Sequence, residues 1–153
     1  TGHLVLSTLH TNSAIGAVTR LVDMGVDAYL LSSSLVGILA QRLLRTLCVD
    51  CKTPYAADPV ARARLGLDPE ARPTLFRARG CTHCRQGYRG RTGIYELVSI
   101  TPALAGMIHQ GASEPELIRE ARKLSCGLFQ DGQRRVLDGQ TSLDELLRVT
   151  QED

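Results

Sequence analysis

Cys48-Val49-Asp50-Cys51 and Cys81-Thr82-His83-Cys84 decide how this chain is read: two C-x2-C pairs with 29 residues, 52–80, between them. Within each pair a tight turn folds the second cysteine back beside the first, so both thiolates reach one ion. Two such turns facing each other make a tetrahedral four-sulfur cage, the geometry Zn2+ prefers. The spacer is longer than the roughly 15–20 residues usual between zinc knuckles, so a small module is expected inside it. Four buried thiols, two disulfides, a redox C-x2-C and a four-thiolate iron or Fe–S site are the other readings of these residues. A closed four-sulfur cage has no open coordination position, which points to a fold staple and not to a catalyst.

Working upstream, residues 27–47 read as one long helix capped by Asp27. Leu31, Leu35, Ile38, Leu39 and Leu43 line one side of it, and Ser32, Ser33, Ser34 and Gly37 make part of it thin. Arg42 and Arg45 share a surface at i, i+3, whose plain reading is a solvated face. Cys48 and Cys51 then end the helix and Pro54 keeps it ended. Before it, Asn12 or Ser13 caps a helix in which Ile15, Val18, Leu21 and Val22 recur at helical spacing, stopped by Gly25. Residues 4–9, LVLSTL, read as a strand covered on both faces, as in a parallel sheet. That puts His10 at a strand's carboxyl end, where open α/β sheets bind ligands.

Working downstream, Asp58-Pro59 opens a short helix stopped by Gly66, residues 67–73 form a loop, and 74–78 form a strand leading to Cys81. Gly87, Gly90 and Gly93 punctuate a loop carrying Arg85, Arg89 and Arg91, and 94–100 form a strand. Arginines on such a loop can close on an anion, or simply solubilise a knuckle. The rest is helical: Thr101-Pro102 opens one helix and Gly111 closes it. Ser113 to Glu116 and Ser142 to Glu145 are capping boxes. Residues 128–137 are amphipathic and stop at Gly139. Cys126 lacks a partner in the pattern and reads as a small buried residue.

The 153 residues allow one ordinary domain, or a small domain with an appendage. Hydrophobic residues make up 43% and aromatics only 4%, with no Trp, so the core must be aliphatic. A net charge of +2 predicts no nucleic-acid partner. Five cysteines without a secretory signal suit a reducing compartment, and no apolar run approaches a membrane span. The sequence lacks an initiator Met and opens almost at once on the strand-like run, so a piece of something longer is expected. It contains no Walker A, metalloprotease or nucleophile-elbow motif.

TGHLVLSTLHTNSA (1–14) resembles the histidine box of secretion ATPases. The run RLVDMGVDAYLLSSSLVGILAQRLLRTLC (20–48) resembles the ATPase family of type II secretion, GspE. CVDC and GCTHCRQGYRGRTGIYE are similar to its metal-binding insert, and LDGQTSLDELLRVT (137–150) to its C-terminal signature. The resemblance implies an α/β chain. Residues 1–47 would be the last part of a RecA-like ATPase core, 48–96 a four-cysteine zinc module and 97–153 a helical C-terminal subdomain.

It implies a parent that is a hexameric ATPase on the cytoplasmic face of the inner membrane, peripheral to it. Hydrolysis there drives pseudopilus assembly and protein export. The implied partners are the other subunits of a homohexamer and the membrane-anchored GspL. The implied cofactors are structural Zn2+ and, in the parent, ATP and Mg2+. The catalytic histidine-box role falls on His10, with His3 as second candidate, and Arg89 and Arg91 resemble arginines brought near the nucleotide. The family's Walker and Asp-box segments are missing here, so the chain alone is expected to be inactive. The pilus-extension ATPase, PilB, is the alternative within the superfamily, and a standalone zinc-binding adaptor is the alternative outside it. Metal loss is expected to loosen 48–95 and spare the helical tail.

Overall fold

In a computed structural model that describes residues 2–151, the elements in chain order are α1 (Gly16–Asp23), α2 (Ala28–Ser34), β1 (Gly37–Leu47), β2 (Thr53–Ala56), α3 (Pro59–Arg64), β3 (Thr74–Arg77), β4 (Tyr88–Ser99), α4 (Pro102–His109), α5 (Glu114–Ala121), α6 (Leu128–Leu137) and α7 (Leu143–Gln151). β1 pairs with β4 and β2 with β3. The Ile100 N–H donates to the Val36 carbonyl just before β1, and the Cys48 N–H just after β1 donates to the Gly87 carbonyl. The β1–β4 ribbon is therefore antiparallel. β2 and β3 are antiparallel too, with Thr53 opposite Arg77 and Ala56 opposite Thr74.

The chain divides into two compact units. One comprises the residues up to Ala40 together with Glu96–Cys126; the other comprises Gln41–Tyr95 and the residues from Gly127 on. In the first unit Ser13 begins α1, its hydroxyl accepting the Gly16 N–H at 2.9 Å. Asp27 caps α2 by accepting the Tyr29 N–H, and Thr101 caps α4 by accepting the Leu104 N–H. α5 starts with the expected reciprocal capping box of Ser113 and Glu116. α2 packs on α4, with the Tyr29 ring edge-on to His109. Glu96 is buried in this unit and accepts from Arg122 at 2.8 Å.

Residues 4–9 do not form the expected strand. Leu4 and Leu6 are 77% and 87% exposed, and no strand among the described residues pairs with the run. An apolar run becomes an inner strand only where neighbours take its backbone groups and cover both faces.

The expected helix over 27–47 is likewise overturned. It stops at Ser34, and Leu35 is already extended. Ser32, Ser33 and Ser34 turn their hydroxyls back onto the Tyr29 and Leu30 carbonyls, an alternative to continued helix. From Gly37 the chain is strand, with Ala40 and Leu44 turned inward and Leu39 and Leu43 outward. Arg42 and Arg45 therefore lie on opposite faces of β1, because side chains alternate along a strand.

The second unit holds an aliphatic core of Leu44, Leu65, Leu75, Ile94, Val136 and Leu146, each essentially inaccessible to solvent. β2 runs through Pro54, expected from the sequence only to keep the preceding helix ended; a proline is tolerated on an edge strand such as this one. Cys126 is exposed, against the expectation of a buried residue, since it lies in the connection between α5 and α6.

Candidate metal centre

β1 delivers Cys48 to the interior one residue past its end, where the residue is 1% exposed. The Cys51 and Lys52 N–H groups both donate to the Cys48 carbonyl, at 3.3 and 3.0 Å, which closes the first knuckle. In the second knuckle the Cys84 N–H donates to the Cys81 carbonyl, and the Cys81 N–H points at Cys84 Sγ, 3.3 Å away. Arg85 and Tyr88 then exchange two backbone hydrogen bonds of 3.0 Å around Gln86 and Gly87. Both central residues have positive φ, 54° and 87°, as a two-residue type I′ hairpin turn requires. A side chain on Gly87 would also strike Ala78, whose Cβ would lie 2.5 Å away. The glycine-rich loop expected over 85–93 is thus only this turn; Arg89 and Arg91 already belong to β4 and are exposed.

The four sulfur atoms lie within 4.8 Å of one another. Cys48–Cys81, Cys51–Cys84 and Cys81–Cys84 are separated by 3.9, 3.7 and 3.6 Å. A tetrahedral ion with metal–sulfur bonds of about 2.3 Å sets its sulfurs about 3.8 Å apart, so the donor set fits one. A disulfide needs about 2.05 Å, and none of these four cysteines forms one. Burial pushes the Cys48 thiol up. At Cys84 burial also acts upward, but hydrogen bonds from the Cys81 backbone and thiol outweigh it and bring the thiol down to about 7. Cys81 feels a lowering hydrogen bond from the His83 backbone, yet burial and its three sulfur neighbours push it up to about 12. Four thiolates crowd together only with a cation to neutralise them, and the set can hold a metal ion.

Around this cage stands a polar shell that spacing did not reveal. Arg45 lies 4.2 Å over the Tyr88 ring and donates through Nε and Nη2 to Glu145 at 2.9 and 2.6 Å. Arg148 grips the same carboxylate. The expected capping box at Ser142 is only half made. Ser142 Oγ accepts the Glu145 N–H, but the Glu145 carboxylate is taken by the two arginines instead of reaching back. Lys52 donates to the Gly139 carbonyl at 2.8 Å and lies over Phe76. At the surface His83 Nδ1 stands 3.4 Å from Asp50 Oδ2, linking the two knuckles.

His3 and His10 are exposed in the first unit and lie outside any helix or strand. His10 lines an open groove with Thr11, Ser13, Gly16, Arg20 and Glu114. Arg89 and Arg91 project from β4 in the second unit. None of the described helices is long and apolar enough to cross a membrane.

Residues 1–148 match the family described as Type II/IV secretion system protein. The chain is 60% identical to Type II secretion system protein E of Pseudomonas aeruginosa, over all of this chain and 31% of that protein. It is 52% identical to Type II secretion system ATPase E of Vibrio cholerae, over 99% of this chain and 30% of that protein. With Type II secretion system protein E of Aeromonas hydrophila the identity is 51%, over all of this chain and 31% of that protein. The chain therefore spans less than a third of the length of these relatives.

Proposed function

The chain belongs to the type II/IV secretion system protein family, and from that premise we propose that it is the zinc-stapled C-terminal portion of a type II secretion ATPase. The observation that carries this reading is the cage: four thiols within 4.8 Å, each knuckle closed by its own backbone. Zn2+ is the occupant we assign, since it favours four thiolates in a closed tetrahedral site.

In the whole protein we assign 1–47 to the end of a RecA-like core, 48–96 to the metal module and 97–153 to a helical subdomain. The assembly would be a homohexamer on the cytoplasmic face of the inner membrane, docked on GspL. ATP with Mg2+ would supply the free energy for pseudopilus assembly when bound to the core. His10, with His3 as second candidate, would hydrogen-bond the γ-phosphate or the attacking water. The groove beside His10, with the Thr11 and Ser13 hydroxyls and Arg20, supports that role. Arg89 and Arg91 would approach the nucleotide from β4, which starts one residue after the positive-φ turn at Gly87. The metal acts indirectly, by fixing where that strand begins.

The test is metal analysis and phosphate release by the full-length protein, wild type and Cys81→Ser. Wild type should hold about one Zn2+ per chain, and the variant should lose most of it with at least about tenfold of kcat. Metal-free wild type with unchanged melting temperature and turnover would sink the reading.

A further inference from the structure

The turn between α6 and α7 is held by residues that flank the cysteines. The Leu47 N–H, next to Cys48, donates to the Gln140 carbonyl at 2.8 Å, and Thr141 Oγ1 donates to the Arg45 carbonyl at 2.8 Å. Lys52, next to Cys51, holds the Gly139 carbonyl. Gly139 has a φ of +67°, and a Cβ there would lie 2.7 Å from Phe76 Cδ2, so the turn approaches as closely as a residue without a side chain allows. From the hairpin after the second knuckle, the Tyr88 hydroxyl meets Ser142 Oγ at 2.7 Å, and Ser142 in turn caps the start of α7. Thr141 and Ser142 are buried at 0% and 2% exposure. Both knuckles thus converge on one short stretch of turn, Gly139 to Ser142, and that stretch sets where α7 begins.

We propose that metal binding at Cys48, Cys51, Cys81 and Cys84 is coupled to the docking of α7, with Lys52 and Tyr88 as the positioning residues. The inference rests on reading the four cysteines as a metal site. Metal–sulfur bonds order both knuckles and so present the Lys52 ammonium and Tyr88 hydroxyl at fixed points. Without the metal the knuckles regain conformational entropy, and a long lysine side chain on a mobile loop no longer holds a single carbonyl. α7 then loses its cap and its tether together, and its buried face of Leu143, Leu146 and Leu147 is released. The helical tail is therefore not indifferent to the metal, contrary to the sequence expectation. Coupling is reciprocal: loosening the turn must weaken the metal by the same factor.

The experiment uses the whole chain, with Zn2+ stoichiometry measured first. Hydrogen exchange is then followed with Zn2+ bound and after withdrawal by a chelator. Withdrawal should speed exchange in 143–151 by about tenfold or more, and in α4 by less than about twofold. Lys52→Met and Thr141→Val keep all four thiols and nearly the same side-chain size. Each should weaken Zn2+ by about threefold or more in competition with a chromophoric chelator. Lys123→Met, which removes an exposed pair with Glu120, should leave the affinity unchanged. One Zn2+ per chain with α7 exchange unaltered by withdrawal overturns the coupling and leaves the metal reading standing. So does an affinity within about twofold of wild type in both turn variants. Equal acceleration in α4 and α7 overturns it as well, since the metal would then hold the whole fold. No Zn2+ binding at all overturns both.

Discussion

Glu145 shows what one side chain can reveal. Its carboxylate is wholly shielded from water, while Arg45 and Arg148 are 39% and 47% exposed. Burial alone would raise its pKa, yet hydrogen bonds from Arg148 and Arg45, and from the Arg45 backbone, bring it down from the ordinary 4.5 to about 2. A depressed carboxylate contributes stability in full above its unfolded value. That contribution falls as pH drops from about 4.5 toward 2 and vanishes below. The shift corresponds to at most about 3 kcal/mol, reduced by the water around the two half-exposed arginines. Glu145→Gln should therefore cost stability at neutral pH and nearly nothing below pH 2. Urea midpoints for both proteins, taken across that range, provide the check. The difference between them removes the shared effect of protonating the cysteines, and a difference independent of pH would rule this account out. Nothing in the sequence pairs Glu145 with Arg45, because the partners stand 100 residues apart.

At the scale of elements, legibility followed locality. The starts of α4 and α5 could be read because their capping residues act within three positions, as Thr101 does on Leu104 and Ser113 with Glu116. The cage could be read because metal spacing is itself a local rule. β1 could not: Leu39 and Leu43 face solvent and Arg42 lies on the inner side, so the strand alternation is inverted and a helical stripe reads equally well. The shell around the cage was hidden for the reason given for Glu145, with the Tyr88–Ser142 and Lys52–Gly139 partners 54 and 87 residues apart. The α6–α7 contact yields its own prediction. Gly132 sits in α6 where an added Cβ would lie only 2.2 Å from Leu146 Cδ1, and Leu146 is fully buried. Alanine at an exposed helical site would gain about 1 kcal/mol over glycine. Here overpacking, at about 1–3 kcal/mol, should outweigh that gain. Gly132→Ala should lower the urea midpoint, and an equal or higher midpoint would show that the two helices separate easily.

At the scale of the whole molecule, the question is what this chain can do without the remainder of its relatives' length. Phosphoryl transfer needs a backbone cradle with a lysine on the phosphates, Mg2+ held by a hydroxyl and a carboxylate, and a group that places the water. The sequence contains no G-x4-G-K-[ST] to supply the first of these. His10 and its groove offer at most the last, on an open surface. Arg89 and Arg91 are exposed, and exposed charge pairs contribute only about 0–1 kcal/mol each, too little to hold a nucleotide. The chain alone should therefore release no phosphate from ATP above background. In the full-length protein His10→Ala should lower kcat by roughly 100-fold, the scale of a positioned proton-transfer or hydrogen-bonding group, while the ATP dissociation constant moves much less. A purely structural role for His10 would lower melting temperature and binding together, so both are measured beside turnover. Phosphate release by the highly purified chain would refute the missing-cradle argument. A full-length His10→Ala protein at wild-type rate would remove that histidine from the mechanism and leave His3 as the residue to test.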